Sequence, residues 1–234
     1  MAFQGKMKAV TFSYDDGVTQ DRRLIEILDR YQLKCTFNLN SELLGKENEL
    51  LREGKIVSHN KIAPEDVAAV YANHEVAAHT LTHPFLPKMD EQEIIRQVQE
   101  DQKNLEKLTG KPVVGMAYPG GGINYDHRVA EIIRKHTAIQ YARTTVSSHS
   151  FDLQDDLLEF KPTVYHHREW DQLFELGEKF LSMKADRPQI FYIWGHSYEF
   201  DIHDEWTRFE KFCAMISGQD DIFYGTNAQV LLNP

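Results

Sequence analysis

Lys8-Ala-Val-Thr-Phe-Ser-Tyr14 runs directly into Asp15-Asp16-Gly17, and the reading of this stretch decides the fold. Its β-branched and aromatic residues, partly alternating, make a strand, and the Asp-Asp-Gly that ends it is turn chemistry. Beyond the turn, Leu24, Ile27, Leu28 and Tyr31 recur at helical spacing, so an amphipathic helix follows. Strand, turn and helix make one βα unit.

The same rhythm continues outward. Cys35 to Leu39 reads as a second strand, and Pro64 suits an early position in a helix carrying Val67, Val70 and Tyr71. Ser41 to Ala63, between them, is a polar excursion. Glu75 to Ala78 is a short strand, followed by a His-rich turn and a helix that Asp90 and Glu93 open as a capping box and Gly110 closes. Val113 to Ala117 is strand-like and leads through Pro119 and Gly120 to Gly122 into a helix with Val129, Ile132 and Ile133 on one face. Ala138 to Ala142 is a fifth strand. Thr144 to Arg168 shows no period and is expected to be a long excursion that covers or shapes a site. Then come a helix with Leu173, Leu176 and Phe180, a strand at Gln189 to Trp194, and a helix with Trp206, Phe209, Cys213 and Ile216. Asp221 to Tyr224 and Thr226 to Leu232 end the chain as a strand and a short helix. Roughly seven strands alternating with helices predict an α/β fold with a parallel sheet or barrel, whose chemistry belongs just past the strand carboxyl ends.

Composition narrows the function. Lys plus Arg total 26 against 36 Asp plus Glu, and the net charge of −10 argues against a protein built to bind nucleic acid or an anionic membrane. Hydrophobic content of 41% and aromatic content of 11% exclude disorder, and no apolar run approaches the roughly 20 residues that span a bilayer. Cys35 and Cys213 form neither a disulfide framework nor a four-thiolate site, and are expected to be core thiols. Met1 to Lys8 lacks the apolar centre of a secretory signal, so a cytoplasmic location is expected. No repeat or linker divides the chain, and residues 1–234 are expected to form one domain. The oligomeric state stays open.

Three groups of residues offer chemistry at strand ends. Asp15 and Asp16 are adjacent carboxylates that can point in different directions, although Asp-Asp-Gly alone is usually a turn or helix cap. His79 and His83, in His-Thr-Leu-Thr-His, are expected to lie on one side of a helical turn. Two neutral imidazoles and a carboxylate suit a catalytic divalent ion such as Zn²⁺. His196, after Trp194 and Gly195, is placed to protonate a leaving group. His74-Glu75 followed by His79 is one residue too long for the helical zinc-protease pattern, and the glycines at 120–122 lack the partners of a phosphate-binding loop. There is no nucleophile elbow.

Taken together, Thr-Phe-Ser-Tyr-Asp-Asp-Gly, His-Thr-Leu-Thr-His and Trp-Gly-His, in that order, resemble the polysaccharide deacetylase family, carbohydrate esterase family 4 with its NodB homology domain. The resemblance runs from about Lys8 to the C-terminus and implies a distorted (β/α)₇ barrel. It implies that Asp16, His79 and His83 hold the metal, that Asp15 is the general base and that His196 is the acid. The family's Arg-x-Pro-Tyr motif falls on Ala117, Tyr118, Pro119 and Gly120, so its arginine and tyrosine are absent. Gly120 still offers a backbone N–H to an oxyanion. Arg143, past the fifth strand, is our candidate for the missing arginine, with Asp201 or Glu199 as candidate supports for His196. Tyr118, Trp194, Tyr198 and Trp170 are candidate sugar-stacking faces, or else simply core and rim.

The expected activity is hydrolysis of an N-acetyl group on a sugar or oligosaccharide, dependent on a divalent metal, zinc first, with cobalt, nickel and manganese as alternatives. A hydrolase of cyclic amides or ureides, such as an allantoinase, and a non-catalytic carbohydrate- or metal-binding relative are the competing readings. The acidic surplus favours a neutral or soluble substrate.

Overall fold

The computed structural model describes residues 2–232. Strand β1 (Lys8–Asp15) is buried along its whole length, as a parallel strand covered on both faces must be. Helix α1 (Asp21–Arg30) turns Leu24, Ile27 and Leu28 to the core, and β2 (Cys35–Leu39) follows. Strands β3 (Glu49–Arg52) and β4 (Lys55–Ser58) form an antiparallel hairpin, and α2 (Val67–Val70) is a single turn reached through Pro64. Next come β5 (Glu75–Ala78), α3 (Glu91–Thr109), β6 (Gly115–Ala117), α4 (His127–His136) and β7 (Tyr141–Arg143). The last third comprises β8 (Val164–Tyr165), α5 (Trp170–Ser182), β9 (Gln189–Gly195), α6 (Glu199–His203), α7 (Trp206–Ile216), β10 (Ile222–Tyr224) and α8 (Asn227–Leu231).

The main sheet has the order β7-β6-β5-β2-β1-β9-β8, every pairing parallel, with β10 beside the first three residues of β1. The sheet curls so far that one segment meets both edges. Phe160 exchanges backbone hydrogen bonds with Ala142 and Thr144 on the β7 side, and Val164 and Tyr165 pair with Ile193 and Trp194 of β9. The result is the expected distorted (β/α) barrel with helices outside. The seventh position of the strand order belongs to β8, inside the stretch that showed no period. The final strand of the chain lies off that path.

The polar excursion at 41–63 is also structured, because it contains the β3–β4 hairpin. Its strands turn Leu50 and Val57 inward, but the neighbouring cross-strand pair Leu51 and Ile56 is 70% and 71% exposed, so apolar residues fall on both faces and hide the two-residue alternation. Helix α3 starts as expected, with Asp90 accepting from the Glu93 amide at 2.9 Å and Gly110 closing it in the left-handed region. The Glu93 carboxylate, however, bonds Arg96 and Gln97. Cys35 and Cys213 are buried free thiols. Gly195 is required by packing, since a Cβ there would lie 1.9 Å from His166 Nδ1. Among the described residues, no helix is long and apolar enough to cross a membrane.

Candidate active site

Asp15 ends β1 and Asp16 begins the turn, at φ +83°, a left-handed conformation that costs energy in a residue with a Cβ. The break in the strand aims the two carboxylates differently. Asp15 Oδ1 accepts from Asn38 Nδ2 at 2.8 Å, and its Oδ2 pairs with the guanidinium of Arg143. Both partners are buried, so the pair is shielded from water on every side but the cavity.

His79 and His83 do not sit on a helical turn. The segment after β5 is a loop with Thr80 at φ +68° and His83 at φ +60°. It nevertheless holds the two rings 4.9 Å apart. Helix α3 supplies the support: buried Asp101 accepts from the backbone N–H of His79 at 3.0 Å and of Ser41 at 2.7 Å, while Gln97 Oε1 accepts from Thr82 N at 3.1 Å. Asn40 holds the carbonyls of His79 and Thr80. His79 Nδ1 donates to the Ala117 carbonyl at 2.8 Å, leaving Nε2 buried with no partner. Burial above all keeps His79 neutral, pushing its pKa down to about 4.

The ligand atoms of Asp16, His79 and His83 lie within 4.8 Å of one another, with Asp16 Oδ1 at 3.9 Å from His79 Nε2 and 3.8 Å from His83 Nε2. A neutral imidazole whose other nitrogen donates to a carbonyl, an orphaned nitrogen and an adjacent carboxylate form a donor set that fits a divalent cation. Burial opposes the charge on Asp16, but Lys61 and a hydrogen bond from His59 outweigh it and hold this carboxyl well below the usual range.

On the far side, His196 Nε2 is 4.0 Å from Asp15 Oδ2, and its Nδ1 is 2.9 Å from Glu199 Oε1. Glu199 also accepts from the His196 backbone N–H at 2.9 Å and from the Tyr165 hydroxyl. Burial disfavours the imidazolium, yet Glu199, Asp16 and Asp15 prevail and raise the His196 pKa to about 9. Asp201, the other candidate support, bonds Gln20 and Trp206.

These groups share a cavity of about 950 Å³, whose wall also includes Gly120, Trp194 and Tyr198. Trp194 is 95% buried, its ring under Arg143 at 4.2 Å and stacked on Tyr165, so it offers an edge and no open face for a sugar. Tyr118 does not line the cavity: it is buried against Tyr125 with its hydroxyl on the Leu158 carbonyl. Trp170 lies outside as well, beneath Arg208. His59, Lys61, Asn38, Asp101 and Tyr165 carried no signal in the sequence, since each is a lone polar residue, brought in by the segment after the hairpin, by β2, by α3 or by the two-residue strand β8.

A parallel barrel with carboxylates and imidazoles gathered at its strand ends is an arrangement found in enzymes that keep their chemistry at that face. The chain belongs to the polysaccharide deacetylase family, whose model matches residues 4–141, more than half its length. No curated protein matches it. Among solved structures it resembles a putative polysaccharide deacetylase from Mycobacterium smegmatis, at 17% identity and a TM-score of 0.69, over 97% of this chain and 90% of that one. A polysaccharide deacetylase from Bacillus cereus is 23% identical with a TM-score of 0.52, over 64% of this chain and only 44% of that protein. A carbohydrate esterase family 4 pseudoenzyme from Bacillus anthracis is 19% identical with a TM-score of 0.54, over 98% of this chain and 66% of that one. At these identities the likeness concerns the fold alone.

Proposed function

We propose that this chain is a metal-dependent N-deacetylase acting on an N-acetylated sugar or short oligosaccharide. The observation that carries this reading is the position of Asp15 Oδ2, 3.9 Å from His79 Nε2 and 4.0 Å from His196 Nε2. A base and an acid thus flank one small volume beside the metal-donor set. Arg143 argues against a degenerate site. It lies on the strand next to Ala117, at the matching register, and its guanidinium meets the base carboxylate.

Asp16, His79 and His83 would hold the ion. Bound there, a divalent ion such as Zn²⁺ would supply Lewis acidity, lowering the pKa of water from 15.7 to about 7. Asp15 takes the proton of the attacking water, and Arg143, paired with it, orients its carboxylate. The backbone N–H of Gly120, on the cavity wall, is the candidate donor to the oxyanion. His196, fixed through Nδ1 by Glu199, turns Nε2 to the departing amine and protonates it.

The test is acetate release from N-acetylglucosamine oligomers by protein loaded with Zn²⁺ or Co²⁺. Asp15→Asn should lower kcat by about 10²- to 10⁴-fold while retaining metal, and His79→Ala with His83→Ala should lose the metal. A loaded native protein that releases no acetate, or an Asp15→Asn variant as active as the native chain, overturns the reading.

A further inference from the structure

Asp16 is gripped by residues that the deacetylation chemistry above does not use. The segment after β4 runs antiparallel to the catalytic turn: Thr19 N donates to Asn60 O at 2.8 Å and Ile62 N to Gly17 O at 2.9 Å. The same segment is tied behind, His59 N to Asn48 O at 2.8 Å and Lys61 N to Lys46 O at 2.9 Å. It is therefore fixed, and it presents two side chains to one residue. His59 Nε2 lies 3.0 Å from Asp16 Oδ2. Lys61 Nζ, which is 3.4 Å from that same ring nitrogen, donates to the Asp16 carbonyl at 2.7 Å. With Asp16 N donating to Asn38 O at 2.9 Å, the left-handed conformation of Asp16 is pinned through both neighbouring peptide groups.

The two carboxylate oxygens of Asp16 face different partners. Oδ1 is the one nearest both His79 and His83, and Oδ2 is the one His59 engages. A carboxylate cannot donate, so the 3.0 Å contact requires the proton on His59 Nε2. We propose that His59 is a positioning residue: it occupies Oδ2, so that Asp16 offers the ion Oδ1 alone and leaves a coordination position free for water or substrate. Without this bond the carboxylate is free to rotate or to chelate through both oxygens. Lys61 holds the backbone that aims it, and its Nζ lies 3.7 Å from Oδ1, the oxygen left to the ion. The proposal rests on the metal reading above but needs no substrate to be tested.

Cobalt titration of the metal-free protein, followed by visible absorption and by competition with a chelator, separates the outcomes. His59→Ala should weaken binding by about 10- to 100-fold, and should shift the visible bands to the extent that the freed Asp16 carboxylate chelates through both oxygens. His59→Gln keeps an N–H donor and should recover affinity to within a few-fold of the native chain. If His59→Ala does not fold, as judged by circular dichroism, the Gln variant carries the test. Native-like affinity in His59→Ala overturns the proposal. So does a Gln variant no better than Ala with altered bands, which would make His59 a ligand. A native chain that binds no cobalt overturns the metal reading itself, an outcome distinct from both.

Discussion

Arg143 shows how a site can keep its electrostatics while its motif changes. The family resemblance sets an arginine at position 117, where this chain has alanine, but Ala117 and Arg143 are register partners on β6 and β7. The guanidinium therefore arises at the same level of the barrel, one strand over, and is braced by the Trp194 ring and the Thr144 carbonyl. Removing it leaves the buried Asp15 carboxylate without its cation, so Arg143→Met should cost about 3–5 kcal/mol of stability by chemical denaturation, and unchanged stability would show the pair to be dispensable. Glu199 acts on His196 with a readable sign. Its carboxylate is the largest influence raising that imidazole to about 9 against burial. As the proposed acid, His196 must be protonated, so activity should be lost as pH rises through this pKa. Glu199→Gln removes the anion, lets the pKa fall toward the ordinary 6.5 or so, and should move the alkaline limb of kcat/KM down by more than about one pH unit. An unmoved limb would assign the acid role elsewhere.

Elements differ in how clearly the sequence announces them, and the reason is burial. Strands β1, β2, β5 and β9 and helices α1, α3 and α4 bury long apolar patterns, so their periods are visible in the sequence. The β3–β4 hairpin is exposed, and β8 is two residues long, which leaves neither a pattern to detect. The site divides in the same way: Asp15, Asp16, His79, His83 and His196 stand beside legible strands, whereas His59 and Tyr165 arrive on the unreadable ones. The loop from His79 to His83 shows a further limit, because its ring placement depends on two left-handed residues and on Asp101, 22 residues along the chain on α3 and silent in any local window. That dependence makes α3 part of the site. Asp101→Ala strips an acceptor from Ser41 N and His79 N, and should cost about 1–3 kcal/mol in denaturant midpoint analysis. Divalent affinity should fall with it, since His79 N keeps only the Leu39 carbonyl of its two acceptors. A loss of stability with unaltered affinity would confine Asp101 to folding.

At the scale of the whole molecule, the excess of 36 acidic over 26 basic residues bears on which substrate can approach. The proposed catalytic groups share one cavity of about 950 Å³, so under the proposed function a sugar unit must be delivered into a recess in a negatively charged body. A charge of −10 repels anionic polymers over a Debye length of about 30 Å at 0.01 M salt, and over about 10 Å at 0.1 M. A neutral N-acetylglucosamine oligomer feels none of this. Raising the salt across that range should therefore increase kcat/KM several-fold for an N-acetylated polymer bearing carboxylates and change it less than about twofold for the neutral oligomer. The measurement is the ratio of the two kcat/KM values as ionic strength rises, at a pH below 9 so that His196 keeps its proton. A ratio that stays flat would mean that the field at the cavity mouth is set by local groups and not by the net charge, and the preference for neutral substrates would lose its physical basis.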